Sequence, residues 1–193
     1  LIAMLENLPT QKAILTAWLP GYTPPNQLEQ AAFPIATVNR LGTDDDAQMV
    51  HLIKRYVPQN AIGEPFLTAM WVGNFMFARA EVMKEIPFDP HIYFWGEELN
   101  FSARLWTHGY DIYHLNKVVL YHYWDRGDVS DAQTYRNHLD ARNQASLARN
   151  LHLLGISLSS QKDMKNYGLG TARSLADYWK FIGIRSEERR VGK

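Results

Sequence analysis

The residues of this chain whose types and spacing are best suited to chemistry are two adjacent carboxylates and a later histidine. Glu97 and Glu98 follow Gly96, and His122 ends an apolar run within the sequence Tyr-His-Tyr-Trp-Asp-Arg. A glycine turn that opens a helix with two acids, followed by a strand that delivers an imidazole, builds a polar cleft at a sheet edge. Carboxylate oxygens and imidazole are ligands that a divalent cation such as Mn²⁺ accepts. We therefore predict a polar site that includes these three side chains.

The helix predicted over residues 96–108 must position both acids. Placed at 100° steps, its apolar residues form one arc, which comprises Leu99, Phe101, Ser102, Ala103, Leu105 and Trp106. The opposite face is polar and comprises Asn100, Arg104 and Thr107, so we expect Arg104 to be solvated or ion-paired. Glu98 falls inside the apolar arc, where an unpaired carboxylate is costly, and must meet a partner or a cleft. A simpler role for both acids is their favourable interaction with the helix dipole.

The surrounding sequence predicts a mixed α/β arrangement. Apolar periodicity predicts helices over residues 1–8, 80–85, 131–154 and 174–182. Gly109 is expected to end the 96–108 helix. Strands are predicted over residues 12–19, 66–79, 111–114 and 117–124, and an antiparallel hairpin over residues 33–41 and 49–57. Gly73 interrupts the 66–79 run, which is the longest buried strand candidate.

Four segments carry a family resemblance. They are Gly73-Asn-Phe-Met-Phe-Ala-Arg79, Ile86-Pro-Phe-Asp-Pro90, Phe94-Trp-Gly-Glu-Glu98 and Ala103-Arg-Leu-Trp-Thr-His-Gly-Tyr110. Together they resemble the second half of a GT-A glycosyltransferase. The most similar group is the GlcNAc-transferase family that modifies hydroxyproline in eukaryotes, and a more distant similarity is to the Trp-Gly-Gly-Glu-Asn block of polypeptide GalNAc-transferases. The resemblance covers nearly all of residues 1–184 and implies an α/β fold, the C-terminal portion of a GT-A domain.

This resemblance implies transfer of a sugar, GlcNAc above all, from a UDP-sugar to a hydroxyl of a protein or glycan, with retention of configuration. It implies that Glu97 and Glu98 reach the sugar and acceptor hydroxyls, and that Trp95 and Gly96 shape the floor of the site. Gly73 would let the donor sugar approach the backbone, although a plain strand irregularity is an equal interpretation.

The same resemblance implies a divalent cation, Mn²⁺ or Mg²⁺, with His122 among its ligands. The competing interpretation is a histidine at a strand edge that is satisfied by backbone. Arg126 contacts the diphosphate in this scheme, or else pairs with Asp125 or Asp128 at the surface.

A GT-A enzyme also needs an Asp-x-Asp motif and a nucleotide-binding half. The run Asp44-Asp45-Asp46 does not supply the motif, because it lies in a predicted hairpin loop and is more simply a solvated turn. We therefore expect both parts upstream of Leu1, which makes the chain a C-terminal fragment without activity of its own. Residues 1–130 and 131–184 are predicted to be the catalytic part and its helical tail. Residues 185–193 resemble the translation of a sequencing adapter and are left out of the fold prediction.

Composition narrows the alternatives. The 193 residues carry 20 basic and 20 acidic side chains, which gives no electrostatic case for binding nucleic acid. The apolar runs are shorter than the roughly 20 residues of a membrane span. The absence of cysteine excludes disulfides and thiolate metal sites and is compatible with a reducing compartment, and we expect a cytoplasmic location. Two alternatives stay open: a non-catalytic carbohydrate-binding or scaffolding module, and an unrelated metalloprotein that uses His114 and His122.

Overall fold

A computed structural model describes residues 1–28, 32–41, 50–58, 63–93, 96–124, 132–156 and 163–184. The helices are α1 (Ile2–Glu6), α2 (Glu81–Glu85), α3 (Glu97–Thr107), α4 (Ala132–Leu153) and α5 (Leu175–Phe181), with a 3-10 helix at Lys165–Tyr167. The strands are β1 (Ala13–Thr16), β2 (Tyr22–Thr23), β3 (Gln27–Leu28), β4 (Ala32–Leu41), β5 (Val50–Pro58), β6 (Phe66–Leu67), β7 (Met76–Ala78) and β8 (Asp111–His114).

The central sheet is mixed, as predicted. Its strand order is β6-β8-β1-β7, with β8 parallel to β1 and the two outer strands antiparallel to their neighbours. Strand β1 is buried at every position, which fits its all-apolar sequence up to Thr16. Separate from this sheet, β4 and β5 form the antiparallel hairpin that the sequence predicts. The loop that carries Asp44-Asp45-Asp46 lies outside the described residues.

The single strand predicted over residues 66–79 is wrong. The chain forms β6 at one edge of the sheet and β7 at the other, so the residues between them must cross from edge to edge. A turn at residues 72–75 precedes β7 and is closed by the Phe75 N–H, which donates to the Val72 carbonyl at 3.1 Å. Its apolar neighbours Met70 and Trp71 are buried in this crossing, and this burial explains the strand-like pattern.

The two faces of the sheet pack against different helices, because successive side chains of a strand point to opposite sides. Ile14 and Ile112 pack with Phe101 and Leu105 of α3. The next residues along these strands face the other side of the sheet, where they pack with residues of α1 and the segment after it. This cluster includes Leu5, Leu8, Leu15, Tyr113 and Leu115. A third cluster joins α3 to the C-terminal helices through Leu99, Ala103, Leu147, Tyr178 and Trp179. Helix α3 is therefore packed between the sheet and the tail.

The polar face of α3 is enclosed, and the expectation that Arg104 would be solvated is wrong. Asn100, Arg104 and Thr107 are all buried, because the C-terminal segment covers them. Asn100 Nδ2 donates to Asn150 Oδ1 at 2.8 Å, and Thr107 Oγ1 accepts the Gly170 N–H at 2.9 Å. The tail thus contributes hydrogen-bonding partners to this face of the helix.

The predicted end of α3 is confirmed. Gly109 has φ +88°, a left-handed conformation that favours glycine. Its N–H donates to the Trp106 carbonyl, and the Tyr110 N–H donates to the Leu105 carbonyl, both at 2.9 Å. This pair of bonds is the Schellman arrangement.

The other predicted helices form with shifted ends, and α4 and α5 differ from prediction by one residue at each end. Ser174 caps α5 by accepting the Asp177 N–H at 3.0 Å. The strand predicted over residues 117–124 is reduced to an isolated parallel bridge between Gly21 and His122. No helix in the described part of the chain combines the length and apolarity that crossing a membrane requires.

Candidate functional site

The carboxylates of Glu97 and Glu98 converge on Gly73. Gly96 precedes the helix with φ +82°, which turns the chain sharply into α3. Glu98 Oε1 accepts the Gly73 N–H at 2.7 Å. A Cβ atom added to Gly73 would lie 3.3 Å from Oε1 of Glu98 and 3.3 Å from Oε1 of Glu97. Two acids from the first turn of α3 therefore flank one backbone position, which carries no side chain between them.

Both acids are held in an environment that resists ionisation. Burial raises the pKa of Glu98, and the hydrogen bond from Gly73 opposes this shift. Burial also raises the pKa of Glu97, and the neighbouring charge of Glu98 adds to the effect. A close pair of carboxylates with raised pKa values is typical of a functional site more than of a solvated helix end.

His122 is fixed by its backbone on both sides. Its N–H donates to the Pro20 carbonyl, and its carbonyl accepts the Tyr22 N–H, both at 2.9 Å. The imidazole packs on the Trp124 ring with 4.0 Å between centroids. Its Nδ1 is buried and has no hydrogen-bond partner among the described residues. An unpartnered buried imidazole nitrogen fits a metal ligand, so the residue present is compatible with the implied cation.

The C-terminal end of β1 is connected to both groups of residues. Thr16, the last residue of β1, bonds to the 72–75 turn next to Glu98. The chain continues from the same end of β1 to Gly21, which forms the bridge with His122. This bridge is parallel, as is the pairing of β1 with β8. Within the described residues, however, no group of three or more histidines and acids is placed to hold a metal ion. A complete ligand shell is therefore not formed by the described side chains alone.

The remaining sequence candidates fall into two groups. Trp95 and Arg126 lie outside the described residues, as do Asp125 and Asp128. His114 is buried, donates from Nδ1 to the Leu115 carbonyl at 2.8 Å, and stacks on Phe66 with 5.1 Å between ring centroids. That packing is the role of a structural histidine.

Sequence reasoning did not single out two buried hydroxyls beside the acids. Ser102 Oγ donates to the Glu98 carbonyl at 2.6 Å and accepts the Trp71 N–H at 2.8 Å. Thr16 Oγ1 contacts both ends of the 72–75 turn. The sequence contained a signal for both residues, since Ser102 lies in the apolar arc of α3 and Thr16 in the apolar run of β1. A hydroxyl buried in such a pattern requires a hydrogen-bond partner.

Comparison with known proteins agrees with the resemblance in the motifs. A family model described as Glycosyltransferase (GlcNAc) matches residues 1–188. No curated protein matches the chain. Since the family match spans nearly the whole sequence, the chain belongs to the GlcNAc glycosyltransferase family.

Proposed function

We propose that the protein is part of an enzyme that transfers GlcNAc from a UDP-sugar to a hydroxyl of a protein or glycan, with retention and with Mn²⁺ or Mg²⁺. The family supports a glycosyltransferase. The observation that carries the assignment of the site is the convergence of the Glu97 and Glu98 carboxylates on Gly73.

The acids have acceptor capacity left for a substrate. A carboxylate offers about four lone-pair positions, and Gly73 occupies one on Glu98. The remaining positions on Glu98 and Glu97 accept hydrogen bonds from the sugar and acceptor hydroxyls. Gly73 contributes by the absence of a side chain, which leaves backbone accessible to a ring at this point.

A protein base is not needed in this scheme. In a retaining transfer by front-face attack, the acceptor hydroxyl approaches from the side on which the diphosphate leaves, and a phosphate oxygen of the leaving group takes its proton. Glu97 and Glu98 then orient both partners, which is a large part of catalysis by positioning.

His122 is the residue of this chain that would hold the cation, which would supply neutralisation of the diphosphate leaving group. Arg126 would contact the same diphosphate, and Trp95 would shape the floor with Gly96. We place the Asp-x-Asp motif and the uridine-binding half upstream of Leu1, and the enzyme in the cytoplasm.

The experiment that tests this proposal uses the full-length enzyme with its upstream half. His122→Ala should remove most of the Mn²⁺-dependent release of UDP from UDP-GlcNAc in the presence of acceptor, by at least about 10- to 100-fold, since even residues that only hydrogen-bond to metal ligands contribute on that scale. His152→Ala in α4 is the matched control, because it removes an imidazole from the tail and should leave turnover intact.

Unchanged Mn²⁺ dependence and turnover in His122→Ala would refute the metal assignment. Turnover of a UDP-sugar by residues 1–184 alone would contradict the proposal that the donor site needs an upstream half. A full-length protein that binds glycans but releases no UDP would instead indicate a carbohydrate-binding module.

A further inference from the structure

Three consecutive backbone N–H groups beside the two acids donate to side chains and not to a strand. The Trp71 N–H donates to Ser102 Oγ at 2.8 Å, the Val72 N–H to Thr16 Oγ1 at 3.0 Å, and the Gly73 N–H to Glu98 Oε1 at 2.7 Å. Backbone donors usually bond to backbone acceptors. Here the position of a short segment depends on individual side-chain atoms.

Thr16 holds both ends of the 72–75 turn. Its hydroxyl accepts the Val72 N–H and donates to the Phe75 carbonyl at 2.9 Å, so one atom connects the entry and the exit of the turn to the last residue of β1. Thr16 has 0% of its surface exposed, so water does not compete for these bonds. Gly73, the second residue of the turn, is thereby fixed relative to the central sheet.

Ser102 fixes the same segment relative to the helix. It lies one helical turn after Glu98, and their side chains share one face of α3. Two residues of the helix are thereby bonded to two residues of the crossing segment: Glu98 accepts the Gly73 N–H, and Ser102 accepts the Trp71 N–H.

We propose that Thr16 and Ser102 are positioning residues, whose buried hydroxyls hold the Gly73 N–H against the Glu98 carboxylate. The inference rests on the proposed function for its catalytic meaning, since Glu98 is there the residue that orients substrate. That the two hydroxyls maintain the hydrogen bond between Gly73 and Glu98 does not depend on that role. Loss of either hydroxyl frees the turn, lengthens the bond between Gly73 and Glu98, and changes the direction in which the carboxylate faces the substrate.

The test begins with the chain itself and does not require transfer. With ¹³C-labelled glutamate, the pKa of the Glu98 carboxyl is followed by NMR in Thr16→Val, which keeps the shape of the side chain and removes its hydroxyl. We expect the pKa of Glu98 to rise in this variant, because the hydrogen bond that favours the ionised form weakens. Hydrogen exchange at the Gly73 amide should accelerate in parallel.

Thr107→Val is the matched control. Thr107 is also a buried threonine whose hydroxyl accepts a backbone N–H, here from Gly170, but it lies in the last turn of α3. The Thr107→Val variant should leave the pKa of Glu98 unchanged. Thr16→Ser restores a hydroxyl and should return both the titration and the exchange rate toward the original. If Thr16→Val leaves the chain unfolded, Ser102→Ala provides the same comparison.

Activity separates this inference from the proposed function. In the full-length enzyme, Thr16→Val and Ser102→Ala should lower kcat by about 10- to 100-fold with little change in the KM for the donor, while Thr107→Val should not. An unmoved Glu98 titration and unmoved Gly73 exchange in Thr16→Val would overturn the inference, whatever the activity. The expected titration shift combined with full activity of Glu98→Gln would instead uphold the inference and remove Glu98 from the proposed mechanism.

Discussion

The most informative perturbation of stability is Asp89→Asn, because Asp89 forms a buried ion pair with Arg149 and its charge also acts on the buried guanidinium of Arg104. Asp89 Oδ2 accepts from Arg149 Nε at 2.6 Å, with 1% and 9% of the two side chains exposed. Arg104 is 1% exposed, and its Nε and Nη1 have no hydrogen-bond partner among the described residues. Burial lowers the pKa of Arg104 to about 10, and the charge of Asp89 acts in the opposite direction.

The expected loss in the free energy of unfolding follows from the buried charges that remain after the substitution. Breaking a buried ion pair by removing one partner costs about 3–5 kcal/mol, because the other charge stays buried without compensation. Asp89→Asn leaves Arg149 in that state and also removes a negative charge that favours the charged form of Arg104. We expect a loss of about 3–5 kcal/mol, which is a large part of the roughly 5–15 kcal/mol by which a domain is stable. With a urea m-value of about 2 kcal/mol/M, the unfolding midpoint should fall by about 1.5–2.5 M.

The assay is urea unfolding followed by tryptophan fluorescence and circular dichroism. Asp111→Asn is the control, because Asp111 pairs with Arg173 at 2.7 Å in a partly exposed setting and should cost within about 1 kcal/mol. In the double variant Asp89→Asn, Arg149→Met, removal of the second charge should recover part of the loss. Equal effects of Asp89→Asn and Asp111→Asn would refute the reasoning, and strictly additive effects in the double variant would show that packing, not charge, determines the loss.

Two further predictions concern helix α3 and the segment that packs on its end. Glu98→Gln should raise the free energy of unfolding at pH 7 by about 0.5–2 kcal/mol. The folded-state pKa of Glu98 is raised, so ionisation of this carboxyl destabilises the fold as pH rises, and the stability gained by the substitution should vanish below about pH 4. Urea unfolding at pH 7 and below about pH 4 measures this difference. A gain in stability that persists in acid would contradict this cause. Gly170→Ala should lower Tm and cost about 1–3 kcal/mol, because its Cβ would lie 2.6 Å from the Thr107 carbonyl oxygen and 2.7 Å from the His108 backbone nitrogen. Gly168→Ala, whose Cβ meets nothing closer than 3.7 Å, is the control, and equal melting temperatures for the two variants would refute the clash.

Helix α3 shows what local periodicity predicts and what it does not. The apolar arc correctly predicted a buried helix with Glu98 facing inward, where it meets the Gly73 N–H. The polar arc failed because Asn100 and Arg104 are covered by residues of the tail, which are distant in sequence. A single helix pattern carries no information about which distant segment packs on its second face.

The crossing segment before β7 was missed for a related reason. Its apolar run satisfies the pattern of a buried strand, and burial is indeed what Met70 and Trp71 share. The backbone N–H groups of Trp71 and Val72, however, donate to a serine and a threonine from other elements, and such partners cannot be read from the run itself. The roles of Trp95, Arg126 and His122 rest on the family motif and stay predictions.

The enclosure of α3 bears on how the enzyme admits its substrates. From Leu99 onward the helix is almost wholly buried between the sheet and the tail, so tilting or sliding it would break packed contacts on both sides. The first-turn acids are thus attached to a rigid body. Any rearrangement that accompanies binding is therefore expected in segments other than this helix.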